Sequence, residues 1–364
     1  MNTISDYLHQ KASANAVPLS GCFELSPVCN FHCRMCYVRK TPEQLRKEGK
    51  ALIDRETWLS LAKQCREAGT LYLLLTGGEP FLYPEFRELY QQLHEMGFLL
   101  SINTNASMID EETIKWLKNY APTRMNVTLY GASAETYGRI CGNPDGYERA
   151  MRGIRLLLDA GIPVVLNASM IPENAEDIEE IARIGKELGV NARISTYMFP
   201  PVRRDKEETD SRFTPEVSAR MFMRKSKCQF TKQALCDMFR KQTDRSADDW
   251  GVQLDHLRCR AGRSSFWISW SGEMAACGLL DFPGVQRPLE EPFVDCWKRL
   301  THNVRTMTVL AQCRDCELRE ICNPCAATVY AECGDVNGKP EYLCRMAECI
   351  RDEISAYLME EDHE

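Results

Sequence analysis

Cys29, Cys33 and Cys36 stand in the run Cys-Asn-Phe-His-Cys-Arg-Met-Cys, with three and then two residues between successive cysteines. Three thiolates this close can hold three irons of a cubane iron–sulfur cluster and leave the fourth iron without a protein ligand. Clusters that only carry electrons are normally held by four cysteines. An open iron therefore points to a cluster that binds something else there. Alone, the triplet is also compatible with a zinc site.

The chain has 364 residues, 44% of them apolar and 27% charged, as expected of a globular protein with room for two domains. Its net charge of −7 argues against a nucleic-acid binder, which needs a basic surface. No apolar run approaches transmembrane length, and the start, MNTISDYLHQK, lacks the apolar core of a signal peptide. A cytoplasmic protein with no membrane partner is expected. Eighteen cysteines are far more than such a chain needs, and twelve of them lie beyond residue 227. In a reducing compartment grouped cysteines read as metal ligands rather than disulfides. Oxygen-sensitive clusters in turn point to an anaerobic host.

Elements able to position these residues recur along the first two hundred positions. Candidate strands are Gly21–Leu25, Leu71–Leu75, Phe98–Ile102, Met125–Leu129, Ile162–Ala168 and Arg193–Met198. Amphipathic helical patterns lie between them. Asp54–Ala68 places Trp58, Leu61, Ala62, Cys65 and Ala68 on one face, with Asp54 as N-cap and Ile53 and Trp58 as a hydrophobic staple. Ile109, Asp110 and Ile114 repeat the device. Gly69, Gly97, Gly161 and Gly189 stand where helices must stop. Six strand–helix units imply parallel strands with right-handed crossovers, as an open doubly wound sheet or as a barrel. Either α/β fold binds ligands at the C-terminal strand ends, where polar residues gather: Thr76-Gly77-Gly78-Glu79-Pro80, Asn103-Thr104-Asn105, Thr128 and Tyr130, Asn167 and Ser169, and Tyr197.

A second cysteine pattern fills the last third. Twelve residues separate Cys259 from Gly272 and four separate Gly272 from Cys277. Then come Cys313-x2-Cys316-x5-Cys322-x2-Cys325 and, after a gap, Cys344.

The triplet and Gly77-Gly78-Glu79-Pro80 resemble the signature of the radical S-adenosylmethionine (SAM) superfamily. The later cysteines resemble its seven-cysteine SPASM extension, with one spacing shortened before Cys325. Together the resemblance covers residues 20–350. It implies a partial (β/α)6 TIM-like barrel over residues 1–199, a helical connector over 200–257 and a SPASM auxiliary-cluster domain over 258–364. It also implies reductive cleavage of SAM to a 5′-deoxyadenosyl radical that abstracts hydrogen from a substrate. By position, Cys29, Cys33 and Cys36 would hold the SAM-binding [4Fe–4S] cluster. Cys313, Cys316, Cys322 and Cys344 would hold a distal auxiliary cluster, and Cys259, Cys277 and Cys325 a proximal one. The stretch Trp250–Arg258 lacks the further cysteine of fully ligated relatives, so the proximal cluster is left with an open iron or with His256, Cys228, Cys236 or Cys333 as fourth ligand. Gly77, Gly78 and Glu79 would bind the methionine amino group, Asn103 the ribose, and Thr128 with Arg139 the carboxylate. Met35 replaces the usual aromatic residue against adenine. Cys141, after the fourth strand, is a candidate hydrogen-atom donor.

The resemblance implies a peptide or protein substrate undergoing crosslinking or maturation, and alternatively a small molecule undergoing dehydrogenation or epimerisation. Gly278 stands where sulfatase-maturing relatives carry an aspartate base, which disfavours that reaction. Ferredoxin or flavodoxin is the expected reductant. With about twenty residues ahead of the first strand, a separate peptide-recognition protein is a further expected partner. Arg220–Lys227 reads as a basic helical face turned to solvent, with reception of an acidic peptide leader as the alternative.

Overall fold

A computed structural model describes residues 4–200, 211–241, 257, 259–281 and 283–361. The charged stretch Arg203–Glu208 and His256 lie outside the described residues.

Six parallel strands form in sequence: β1 (Ser20–Glu24), β2 (Tyr72–Thr76), β3 (Leu99–Thr104), β4 (Arg124–Thr128), β5 (Val164–Ser169) and β6 (Asn191–Ser195). Each pairs with its predecessor. The expected strands all form, shifted by one to three residues. The sheet does not end at β1. The cysteine-rich third contributes β7 (Ser265–Ile268), parallel to β1, and β8 (Met274–Ala275), antiparallel to β7. The order is β6-β5-β4-β3-β2-β1-β7-β8, so the curved sheet stays open between β6 and β8. This is the architecture expected of an open (β/α)6 barrel, extended by two strands that periodicity did not reveal.

Local chemistry sets the boundaries. Asp54 caps the helix Arg55–Glu67 by accepting from Thr57 N at 2.7 Å, and Asp110 caps Glu111–Leu117 by accepting from Thr113 N at 2.8 Å. Gly69, Gly97, Gly161 and Gly189 each follow a helix at positive φ, between 65° and 105°, the left-handed turn that glycine takes without a Cβ penalty.

The alternation of each strand divides the protein into core and lumen. Phe23, Leu73, Leu75, Leu100, Ile102, Met125, Val127 and Leu166 are buried under the helices; Phe23 packs on Trp58, centroids 4.6 Å apart. The intervening residues face the inside of the sheet and are largely polar: Glu24, Thr76, Asn103, Asn126 and Asn167 among them. Helix Ile4–Ala14 closes the N-terminal end, where His9 stacks on Tyr72 with centroids 5.9 Å apart and hydrogen bonds Ser264.

The basic face on helix Pro215–Gln229 is not simply turned to solvent. Arg224 forks onto Glu179 with two contacts of 2.7 Å, and Lys225 donates to Ile194 O at 2.9 Å. Lys227 lies over the Tyr357 ring. The side chains serve to pack this helix on β6 and its neighbours. Among the described residues no helix is long and apolar enough to cross a membrane.

Candidate active site and iron–sulfur centres

The loop after β1 carries Cys29, Cys33 and Cys36 at the C-terminal rim, and the structure brings the three thiols together. Burial pushes Cys29 up to about 12, with Glu79, Cys33 and Cys36 adding to the shift. Cys33 is raised by a hydrogen bond to Cys141 and by burial, and Cys36 by burial and by Cys33. These groups are thiols until a metal displaces their protons. Donors already aim at the sulfurs: Phe31 N at Cys29 Sγ and Arg39 N at Cys36 Sγ, each 3.3 Å away, and Asn105 Nδ2 at Cys29 Sγ, 3.8 Å away. N–H groups directed at sulfur favour anionic, metal-bound thiolates. The donor set therefore fits a cluster. Among the described residues no three Cys, His, Asp or Glu side chains converge on a single metal ion.

The loop after β2 crosses directly over the cysteine loop. Gly78 N donates to Ser26 O at 2.7 Å and Glu79 N to Val28 O at 2.9 Å. A Cβ on Gly77, at φ +143°, would stand 2.3 Å from Ser26 O, and one on Gly78 would stand 2.4 Å from Val28 O. The two glycines are thus required by backbone crossing backbone as well as by any ligand. The Glu79 carboxylate is fully buried. It accepts from Phe81 N at 3.2 Å, Asn105 N at 2.9 Å and the Thr104 hydroxyl at 2.9 and 3.0 Å. Burial raises its pKa to about 7 against these donors. A second network joins the cysteine loop to the loop after β3. Asn105 Nδ2 donates to Asn30 Oδ1 at 2.9 Å, Asn30 Nδ2 to Ser107 Oγ at 2.8 Å, and Ser107 Oγ to Asn105 Oδ1 at 2.6 Å. Three rim loops are therefore one hydrogen-bonded unit.

The remaining rim residues divide. Asn103 sits in β3 facing the lumen, donating to Thr76 Oγ1 at 3.3 Å, and Thr128 ends β4. Met35 is partly buried against the core beside the third cysteine. Arg139 lies on helix Ala134–Cys141, half exposed, ion-paired with Glu135 at 2.6 Å and donating to Glu173 O at 3.0 Å. Cys141 is buried beside Cys33, behind the cysteine loop.

The later cysteines fall into two groups. Cys259 and Cys277 are raised by burial, and both feel Cys325; Cys277 also feels Cys259. Cys322 is pushed up to about 12 by burial with Cys313, Cys344 and Cys316 around it, and Cys344 likewise faces Cys313 and Cys316. The shortened spacing before Cys325 does not keep it from Cys259 and Cys277. Of the other cysteines weighed as a fourth ligand, Cys333 stands beside Cys313, Cys228 is exposed near Glu179 and Arg224, and Cys236 is buried.

Sequence reasoning missed the lumen. Trp267 Nε1 donates to Glu24 Oε2 at 3.3 Å, and Asn126 Nδ2 to Asn103 Oδ1 at 2.9 Å. A Cβ at Gly278 would stand 2.7 Å from the Trp267 ring, so the indole leaves no room there for an acid. A cavity of about 1170 Å³ lies at the opposite end of the lumen from the triplet and is bordered by Arg124, Cys259 and Cys277.

Residues 23–184 match the Radical SAM superfamily. The chain is 27% identical over 333 residues to the AdoMet-dependent heme synthase of Methanosarcina barkeri (strain Fusaro / DSM 804), across 86% of this chain and 92% of that protein. Native anSMEcpe with bound AdoMet superposes with a TM-score of 0.68 at 16% identity, covering 94% of this chain and 98% of that one. Streptococcus suis SuiB bound to precursor peptide SuiA superposes with a TM-score of 0.63 at 17% identity, covering 93% and 78%. At such identities the two structures share a fold with this chain.

Proposed function

We propose that this chain, a radical SAM enzyme whose superfamily domain spans residues 23–184, cleaves SAM reductively and directs the resulting radical onto a peptide or protein substrate. The observation that carries the SAM chemistry is the Cys29–Cys33–Cys36 group locked to the Gly77-Gly78-Glu79 crossing. A [4Fe–4S] cluster held by these thiols, with SAM bound, would supply a 5′-deoxyadenosyl radical.

The chain's own residues then bind and orient. Gly77 and Gly78 bring backbone to the rim, and buried Glu79 fixes the strand ends on which the methionine amino group would rest. Asn103 faces the ribose position and Met35 offers a polarizable side chain to adenine. Thr128 would meet the carboxylate, and Arg139 would join it by exchanging its exposed Glu135 partner for SAM. Cys259, Cys277 and Cys325 would hold one auxiliary cluster, and Cys313, Cys316, Cys322 and Cys344 a second, with ferredoxin or flavodoxin as the external reductant.

A peptide substrate is supported by the fold shared with SuiB, which was solved with precursor peptide SuiA. A small-molecule substrate is the second reading. The heme synthase relative favours it, since that similarity runs along 86% of this chain. Anaerobic reconstitution with SAM and dithionite tests the chemistry: 5′-deoxyadenosine should form and should vanish in Cys33→Ala. Formation that persists in the variant overturns the site. Binding of candidate peptides and of porphyrins to the reconstituted enzyme separates the two substrate classes.

A further inference from the structure

The lower lumen holds charge that the radical chemistry does not use. Arg124 opens β4, half-buried, and borders the 1170 Å³ cavity beneath the sheet. Its Nε is buried without a hydrogen-bond partner, and among the described residues no carboxylate pairs with its guanidinium. The charged group that acts on it is Arg193 of β6, another cation, and burial together with Arg193 lowers its pKa from the usual arginine value. Asp6, an acid that borders the same cavity, pairs with Arg260 at 2.9 Å. Two residues up the same face of β4, Asn126 is only 7% exposed, and its Oδ1 also lacks a partner. Side chains two apart on one strand face stand roughly 6.6 Å apart along it. Arg124 borders the cavity, whereas Asn126 lies above it, donating to Asn103 Oδ1 at 2.9 Å.

A guanidinium cannot relieve this position by losing its proton. A half-buried cation without a counter-ion favours an anion beside it. Its planar fork accepts a carboxylate through two parallel hydrogen bonds. We propose that the lower lumen is a binding site for a carboxylate-bearing substrate, with Arg124 as its anion anchor. The site takes either the side chain of an acidic residue in a peptide or a free polycarboxylic acid. Cys259 and Cys277 border the same cavity, so a ligand anchored here lies beside the residues assigned to the proximal auxiliary cluster. This rests on reading the lumen as the substrate space.

The test titrates the reconstituted full chain, with SAM, against succinate, blocked Gly-Glu-Gly and blocked Gly-Gln-Gly at fixed ionic strength. The acid ligands should bind and raise the melting temperature, the glutamine peptide should not, and Arg124→Gln should weaken acid binding by roughly tenfold or more, with Arg124→Lys between. Stronger binding of the glutamate peptide identifies a peptide source, and stronger binding of succinate a small molecule. Equal behaviour of the glutamate and glutamine peptides, or unchanged acid affinity in Arg124→Gln, overturns the anchor. Should that variant not fold, phenylglyoxal labelling of Arg124 in the unmodified protein decides. Acid ligands should slow it, and an unchanged rate overturns the proposal. Deoxyadenosine formation is read separately, so loss of the anchor leaves the SAM chemistry standing.

Discussion

The Cys33 thiol hydrogen bonds the buried thiol of Cys141, which joins the cysteine loop to the end of helix Ala134–Cys141. The backbone repeats the link, with His32 N donating to Cys141 O at 2.8 Å and Arg34 N to Ile140 O at 3.1 Å. With Cys33 on iron as proposed, Cys141 would be placed to donate to its sulfur. Donors to ligand sulfur raise a cluster's reduction potential. Cys141→Ala should therefore leave iron content unchanged and make the SAM-binding cluster's potential more negative, read by potentiometric EPR. An unaltered potential would remove Cys141 from this role.

Glu79 gives the apoprotein a definite pH dependence. Its folded pKa, about 7, lies above the ordinary 4.5. Between these values the folded state binds more protons than the unfolded one, so this residue's contribution falls as pH rises from 4.5 through 7. Denaturant titrations at pH 5 and pH 8 should show a smaller drop for Glu79→Gln than for the unmodified chain. Glu79→Ala, which strands the Asn105 and Phe81 N–H groups and the Thr104 hydroxyl, should cost about 1–3 kcal/mol for each buried donor left unpaired.

Gly77→Ala forces a side chain against Ser26 O at a φ few residues adopt. The strain should destabilise the chain by roughly 1–3 kcal/mol and push the cysteine loop away from Glu79. Thermal melting together with iron content of the reconstituted variant checks this. A melting temperature and iron load equal to those of the unmodified chain would contradict it.

The two later cysteine groups predict separable losses. Three cubanes correspond to roughly twelve irons per chain. Cys322→Ala should remove about four and spare SAM cleavage, since it lies in a group apart from the triplet. Cys277→Ala should remove a different set, visible as a distinct EPR signal. Iron near four in the unmodified, fully reconstituted chain would refute both auxiliary assignments.

What the sequence disclosed was chiefly local. The caps at Asp54 and Asp110 and the glycine stops depend on residues within one turn, so they were legible before any fold was known. Cysteine spacing was legible for the same reason. β7 and β8 were not, because β7 is held by pairing with β1 across the chain and the two-residue β8 by pairing with β7. Arg124 was missed by one position: the apolar run begins at Met125, and the alternation Arg-Met-Asn-Val-Thr shows a lumen-facing row only once the other strands stand beside it. The contact between Cys33 and Cys141 is invisible in spacing, since the fold alone brings their loops together.

The helix Ile4–Ala14 and the turn after it have their partners at the far end of the chain. Asp6 pairs with Arg260, Arg305 reaches Ser13 O, and Trp297 Nε1 donates to Ala16 O at 2.6 Å. During synthesis this helix must wait for roughly 250 to 290 further residues before these bonds can form, whereas β1 to β6 pair in order as they are made. The floor of the lumen is therefore the last part of the barrel to assemble, and a truncated nascent chain has rim loops but no base.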